Sequence, residues 1–289
     1  MSRLLCLGLG YSALHLARRL AQENWHIAGT ARTLAGIEGI AAEGFAGLAF
    51  DGTQQSSAVS KALQTASHVL ISVPPGEEGD PVLVHHAADI ARAPDLQWIG
   101  YLSTVGVYGD HKGGWVDETT PTDPVSGRSR RRVEAEEAWL ALGAESGKSV
   151  QIFRIAGIYG PGRSAIDRLR AGTAQRIVKA GQVFNRIHVD DIAGVLAAAI
   201  DGRGTHTIYN LADDEPAPPQ DVIAYAAGLL HMPPPPEIPF NEAELSLMAK
   251  SFYVENKRVS NARLHRDLGL ELKFPNYRRG LRGILARES

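Results

Sequence analysis

The sequence predicts an α/β fold built on a doubly wound parallel sheet, and three observations carry that prediction. Residues 3–7 form an apolar run of strand length that Gly8 and Gly10 break. Apolar residues then recur at Leu14, Leu16, Ala17, Leu20 and Ala21, close to a helical stripe. Further strand-length runs alternate with helical segments over roughly the first 155 residues, the rhythm of a parallel sheet with crossover helices. One of them, 68–73, is nearly all apolar, as a strand covered on both faces should be.

The first strand, the glycines and the first helix set the pattern Gly8-x-Gly10-x-x-Ala13. Gly8 permits a tight turn, Gly10 lets backbone approach a pyrophosphate, and Ala13 lets the helix pack close to the strand. The helix start, with Tyr11 and Ser12, offers N–H groups and a positive dipole end to phosphates. A second strand covers 25–30. An NAD site places an acid near its end for the ribose 2′-hydroxyl, but this chain reads Gly29-Thr30-Ala31-Arg32. Thr30 and Arg32 join the expected site, and Arg32 can pair with a 2′-phosphate, so NADP is expected, with NAD as the other option. The plain alternative for Arg32 is a solvated residue at a helix start.

A third strand covers 45–50. Asp51 after it either bonds an adenine amino group or caps a helix through 58–63. Ser72, Val73 and Pro74 end the fourth strand at the expected cofactor edge. A helix over 82–92 carries His85 and His86, which point in different directions with no cysteine nearby, so no metal is expected. The fifth strand, 96–102, runs into Ser103-Thr104-Val105-Gly106-Val107-Tyr108-Gly109. A polar loop follows, then a helix over 133–142 whose Arg/Glu alternation reads as a salt-bridged solvent face. The sixth strand is 150–155. Beyond it come a short helix at 165–170 and short strands at 176–179 and 185–189. An Ala-rich helix to residue 200 follows, with Asp190 or Asp191 as N-cap. The rest is a strand at 207–211, a helix at 220–230, a stiff proline spacer at 233–236 and a mostly helical tail.

The chain has 289 residues, enough for a sizeable core in one large domain or two modest ones. With 44% hydrophobic and 21% charged residues and a net charge of −2, nothing signals a nucleic-acid or membrane partner. The single cysteine, Cys6, reads as a small buried hydrophobe. No disulfide within the chain, no signal-peptide pattern and no apolar run of spanning length together lead to the expectation of a cytoplasmic protein.

Taken in order and spacing, several stretches make the chain resemble the extended short-chain dehydrogenase/reductases, in an atypical form, of the NAD-dependent epimerase/dehydratase family. They are the Gly8/Gly10/Ala13 turn, 103–109, Arg154 to Arg163, Ile187-His188-Val189-Asp190-Asp191 and Tyr209-Asn210-Leu211. The resemblance covers nearly the whole chain. It implies a Rossmann domain with a smaller, discontinuous C-terminal substrate-binding region: a core at 1–160 to which 187–215 returns, and 161–289 mainly for substrate. In that family a Ser/Thr ends the fifth strand and a Tyr-x-x-x-Lys pair starts the next helix. The tyrosine exchanges the hydroxyl proton while the lysine lowers its pKa and holds the ribose. Here the Ser/Thr maps to Thr104, with Ser103 beside it, and the pair maps to Ser126 and Arg130. A serine hydroxyl is a poor acid or base at neutral pH, so the family's relay is altered, whereas Arg130 keeps a positive charge.

The resemblance also makes Tyr108 a candidate stand-in and substrate contact, although its counterpart in relatives is structural. Arg163 and Arg186 lie in cleft-lining stretches and can receive a phosphate or carboxylate, or be ordinary surface charges. His188, Asp190 and Asp191 read as a structural loop and helix cap, not a metal site. A homodimer through a helix pair is the family analogy. The function expected is an NAD(P)-binding oxidoreductase or epimerase-like enzyme acting on a small polar, sugar-derived substrate. The alternative is a catalytically silent NAD(P)-binding sensor or scaffold.

Overall fold

The computed structural model of the protein describes residues 2–288. In chain order, β1 (Arg3–Leu7), α1 (Tyr11–Ala21), β2 (His26–Ala31), α2 (Leu34–Ala42), β3 (Ala46–Ala49), α3 (Ser57–Leu63), β4 (His68–Ile71), α4 (Pro81–Arg92) and β5 (Trp98–Thr104) alternate. A 3-10 turn (Val105–Tyr108) and β6 (Trp115–Val116) lead to α5 (Gly127–Ser146) and β7 (Ser149–Ile155). There follow β8 (Gly157–Tyr159), α6 (Ala165–Arg170), β9 (Arg176–Val178), β10 (Arg186–His188), α7 (Val189–Ile200) and β11 (Ile208–Leu211). The chain closes with α8 (Pro219–Leu229), β12 (Glu237–Pro239), α9 (Leu247–Val254), β13 (Arg258–Val259), α10 (Ala262–Leu268) and α11 (Tyr277–Leu285). It divides into two compact units: Met1–Thr104, Gly127–Arg154 and Ala193–Tyr209, and then Val105–Ser126, Ile155–Ile192 and Asn210–Ser289.

The first unit carries the seven-stranded sheet, in the order β11-β7-β5-β4-β1-β2-β3. The pairs β1·β2, β1·β4, β2·β3 and β4·β5 are parallel. Strand order reverses beside β1, so the crevice outside the carboxyl ends of β1 and β4 is the place where such sheets bind ligands. Leu5, Leu7, Val69, Ile71, Ile99 and Trp139 form the heart of this unit's core. Cys6 is fully buried in β1, and burial pushes its thiol up to about 12, which makes it inert.

Two helices differ from the sequence reading for physical reasons. The sequence reading offers a helix start at Arg32 only as an alternative and gives α2 no range. Its only buried residue is Ile40, it contains Gly36 and Gly39, and its N-cap Thr33 accepts from the Gly36 N–H. α5 starts six residues earlier than the apolar pattern predicts, because its buried positions include Ser129 and Glu136 beside Ala135 and Trp139. The reading of its Arg/Glu alternation as a solvent face is corrected at Glu136, which is 3% exposed. Asp51 does not cap α3; Ser56 does, and Asp51 instead accepts from the N–H and hydroxyl of Thr53.

In the second unit β8 pairs with β10, β9 with β12 and β6 with β13. Its main core gathers Tyr159, Ile166, Ile223, Tyr277 and Leu281 from β8, α6, α8 and α11. Gly109 is obligatory here: its φ is +72° and an added Cβ would lie 1.9 Å from the Asp123 carbonyl oxygen. Neither Asp190 nor Asp191 is an N-cap. Both sit in the first turn of α7, and the buried His188 ring accepts the Asp190 N–H through Nδ1 at 3.2 Å. No helix among the described residues is long and apolar enough to cross a membrane.

Candidate dinucleotide and substrate sites

In the first unit three strand ends converge on the glycine turn. Gly8 has φ +91°, and an added Cβ would lie 3.1 Å from the Val73 N, so both conformation and space require glycine. The chain after β4 is tied to this turn, with the Ser72 and Val73 N–H groups donating to the Leu7 carbonyl at 2.9 and 3.2 Å. Thr30, 3% exposed, accepts the Gly8 N–H at 2.8 Å, and its carbonyl accepts from Leu9 at 3.0 Å. Thr30 therefore shapes the turn from behind. Gly10 differs from Gly8: it precedes α1 with φ −90°, and a Cβ there would meet nothing within 4 Å. The α1 N-terminus has no side-chain cap and no acidic residue in its first turn. Ser12 and Ala13 are buried beneath it, and Tyr11 is half-buried. Open space in front of an uncapped helix N-terminus suits a pyrophosphate.

Arg32 lies exposed just past β2, with no side-chain ion pair among the described residues. Asp51 is exposed, and its two bonds from Thr53 hold its carboxyl below the usual range. Pro74 is exposed beyond Val73.

At the end of β5 the two hydroxyls diverge in role. Ser103 is buried and donates to Glu136. Glu136 also accepts from Arg154 Nε at 3.1 and 3.2 Å and from Nη2 at 2.7 Å, so β5, α5 and β7 are locked by one buried network. Thr104, the next residue, is half-buried. Ser126 stands immediately before α5, and Arg130 is exposed in its first turn. A cation the sequence reading did not single out, Arg132, donates through Nη1 to the Leu102 carbonyl at 2.6 Å and to the Tyr101 hydroxyl at 3.2 Å. The fourth arginine in a five-residue basic run, 128–132, gives no sequence signal of this contact.

In the second unit Tyr108 is 0% exposed and donates its hydroxyl to Asn210 Oδ1 at 2.8 Å. It braces the chain and presents no surface to a ligand, which corrects its expected substrate role. Arg163 is exposed at a tight turn closed by paired bonds with Gly160. Arg186 donates through Nη1 to the Phe184 and Ala217 carbonyls at 2.9 and 3.0 Å. Burial lowers the pKa of its guanidinium, Asp213 opposes that, and the neighbouring Arg168 adds to it. Arg168 is lowered by burial too, and both cations bear on the Tyr253 phenol. The arginine that accompanies Arg186 is thus Arg168, one turn along α6, where the sequence shows only a short helix at 165–170.

Asp191 is 5% exposed and accepts the Lys273 and Phe274 N–H groups at 2.7 and 3.1 Å. Burial nonetheless outweighs these bonds and pushes its carboxyl up to about 6. The folded protein holds this proton more tightly than the unfolded chain, whose Asp titrates near 3.9. Its contribution to stability is therefore full below about pH 4 and falls as pH rises to about 6, by roughly 3 kcal/mol in all. A carboxyl-carbon NMR titration is expected to place the Asp191 midpoint near 6; a midpoint at 4 or below would contradict this burial.

The family model for the NAD dependent epimerase/dehydratase family matches residues 80–212. Protein YeeZ of Escherichia coli (strain K12) is 31% identical over 287 residues, covering 96% of this chain and 97% of that protein. A solved structure of a functionally unknown conserved protein from Silicibacter pomeroyi is 48% identical, with a TM-score of 0.90 over 100% of both chains. The NAD complex of UDP-glucuronic acid 4-epimerase from Bacillus cereus shares the fold, with a TM-score of 0.76 at 18% identity over 99% of this chain and 96% of that one. Glycine turn, switch-point sheet and full-length likeness agree: the chain belongs to the NAD-dependent epimerase/dehydratase family.

Proposed function

We propose that the first unit binds a nicotinamide dinucleotide, NADP in preference to NAD, and that the second unit holds a small polar, sugar-derived substrate for oxidoreductase or epimerase-like chemistry. The observation that carries this reading is the open cradle at Gly10: backbone of ordinary conformation, no atom within 4 Å of a built Cβ, and an uncapped helix N-terminus. Family membership supports the cofactor class. Gly8, Gly10 and the first amides of α1 would receive the pyrophosphate, Thr30 would keep the turn closed, and Arg32 would grip a 2′-phosphate. When bound, the nicotinamide supplies or accepts hydride. Thr104 at the end of β5 would hold the substrate oxygen, and Arg130 and Arg132 supply positive charge along the start of α5. In the second unit the Arg186 and Arg168 guanidiniums, both lowered by burial, bear on the Tyr253 phenol, which supports an anionic or strongly polar group on the substrate.

Calorimetric titration with NADPH and NADH tests the cofactor assignment. NADPH is expected to bind more tightly. Arg32→Ala should narrow the gap by about ten- to a hundredfold, the worth of one charge-assisted contact. Equal wild-type affinities would remove the NADP preference, and binding of neither would remove the site.

One observation favours the second reading, a cofactor-binding sensor or scaffold. Ser126 replaces the proton-exchanging tyrosine, and Tyr108, the phenol that follows Thr104 in the 103–109 stretch, is sealed in the core. In that reading dinucleotide binding survives without turnover.

A further inference from the structure

Arg132 is a cation fixed by one edge of its guanidinium and open at another. It lies in the second turn of α5 and is half-buried. Its Nη1 is held by the Leu102 carbonyl and the Tyr101 hydroxyl, and its Cζ lies 5.6 Å from the centre of the Tyr101 ring. These contacts seat the guanidinium against β5, two residues before Thr104. Its Nε and Nη2 make no hydrogen bond among the described residues, and neither atom is sealed from solvent. The Nε–Nη2 edge is the fork by which an arginine takes a carboxylate side-on. Arg154 uses the same edge on Glu136, with Nε 3.1 Å and Nη2 2.7 Å from Oε2.

Neither acid near Arg132 takes that fork. The Tyr101 phenol feels the charges of Asp80 and Glu136 as well as that of Arg132, so all three groups are neighbours. Both acids are committed elsewhere. Asp80 is buried and caps α4: its Oδ1 accepts the Val82 and Leu83 N–H groups at 2.8 and 3.4 Å, and its Oδ2 accepts the Trp139 indole N–H at 3.1 Å. Glu136 spends both oxygens on Ser103 and Arg154. A half-buried guanidinium with no ion pair is poorly compensated, and an anion from outside the chain supplies the counter-charge. In the sheet β4 separates β5 from β1, so the two strands lie about 10 Å apart. A pyrophosphate at the start of α1 is therefore served by other groups. Leu102 and Thr104, by contrast, are about 7 Å apart along one strand, a span that one small molecule covers.

We propose that Arg132 takes a carboxylate of the substrate on its Nε–Nη2 fork, so that the molecule held at Thr104 is a sugar acid or another oxo acid. Given the nicotinamide reading above, on which this assignment rests, the substrate narrows from a polar molecule to an acid. A lysine in the same place would offer a point charge without the fork, and the ester of the acid would offer the fork no charge to grip.

The test is calorimetric titration of the full chain, first with NADPH and then, with and without saturating NADPH, with D-glucuronate, pyruvate and 2-oxoglutarate, each beside its methyl ester. At least one acid should bind at least about tenfold more tightly than its ester. Arg132→Gln should weaken that acid by about ten- to a hundredfold and Arg132→Lys by about tenfold, while NADPH affinity holds. Arg132→Lys keeps a cation beside Asp80 and Tyr101, so it keeps the test decisive should Arg132→Gln fail to fold. Equal binding of acid and ester, unchanged acid affinity in the variants, NADPH affinity falling in step with that for the acid, or no acid bound in either state would each overturn the assignment. A wild type that binds no NADPH would instead remove the nicotinamide reading, and the titrations without NADPH would still decide whether Arg132 holds an acid.

Discussion

Glu136→Ala is expected to cost about 3–5 kcal/mol of stability, the largest loss among the polar residues of the first unit. The glutamate is the hub through which Ser103 at the end of β5 and Arg154 in β7 meet α5. Removing it leaves the Arg154 guanidinium, 5% exposed, without its counter-charge. For a chain of this length the loss lowers the melting temperature by about 5–8 °C. Loss of the partner, not of charge as such, is the cause, so replacing both members with Glu136→Leu and Arg154→Met should recover much of the stability. Thermal denaturation followed by circular dichroism checks both. A Glu136→Ala protein melting within about 2 °C of wild type would show that the network contributes little.

Gly10→Val is expected to abolish dinucleotide binding while leaving the protein folded. The two glycines of the turn separate the effects of space and strain. At Gly8 the backbone is left-handed and a Cβ presses on Val73, so a side chain there damages the fold itself. At Gly10 the φ of −90° suits any residue and the Cβ points into open space, so valine costs at most about 1 kcal/mol as a helix cap. The same side chain occupies the place of the pyrophosphate, and affinity should fall by at least about a hundredfold. A folded Gly10→Val protein with wild-type affinity for NADPH would dismiss the cradle as the binding site.

The sheet and the glycine turn were legible because both depend on local pattern: apolar runs of strand length, glycines at fixed offsets, and an amphipathic α1. What escaped depends on partners distant in sequence. Glu136 looks like one more charge on a solvated helix until Ser103 and Arg154, on two other strands, close on it. Arg132 differs from its neighbours in the basic run only through the Leu102 carbonyl and Tyr101. Tyr108 sits beside the expected active-site strand, yet Asn210, about a hundred residues on, takes its hydroxyl into the core. Arg168 joins Arg186 because α6 and β10 fold together, a pairing no spacing announces. Asp191 misled by type: an acid opening a helix usually caps it, but here His188 fills that role, and the carboxylate turns instead to the amides of Lys273 and Phe274.

The central claim, a nicotinamide-dependent enzyme with an altered proton relay, is tested most directly by NADPH consumption on one panel of carbonyl and sugar-derived substrates. Wild type, Ser126→Ala and the double variant Ser126→Tyr/Arg130→Lys are compared side by side. The account predicts turnover by wild type on at least one substrate. It also predicts little change in Ser126→Ala, because a serine hydroxyl is too weak an acid to carry the step. A gain in the double variant of about 10²–10⁴-fold is expected, the usual worth of a placed general acid. A wild type that binds NADPH yet consumes none across the panel, with a double variant equally silent, would contradict the enzyme reading and leave the cofactor-binding sensor in its place.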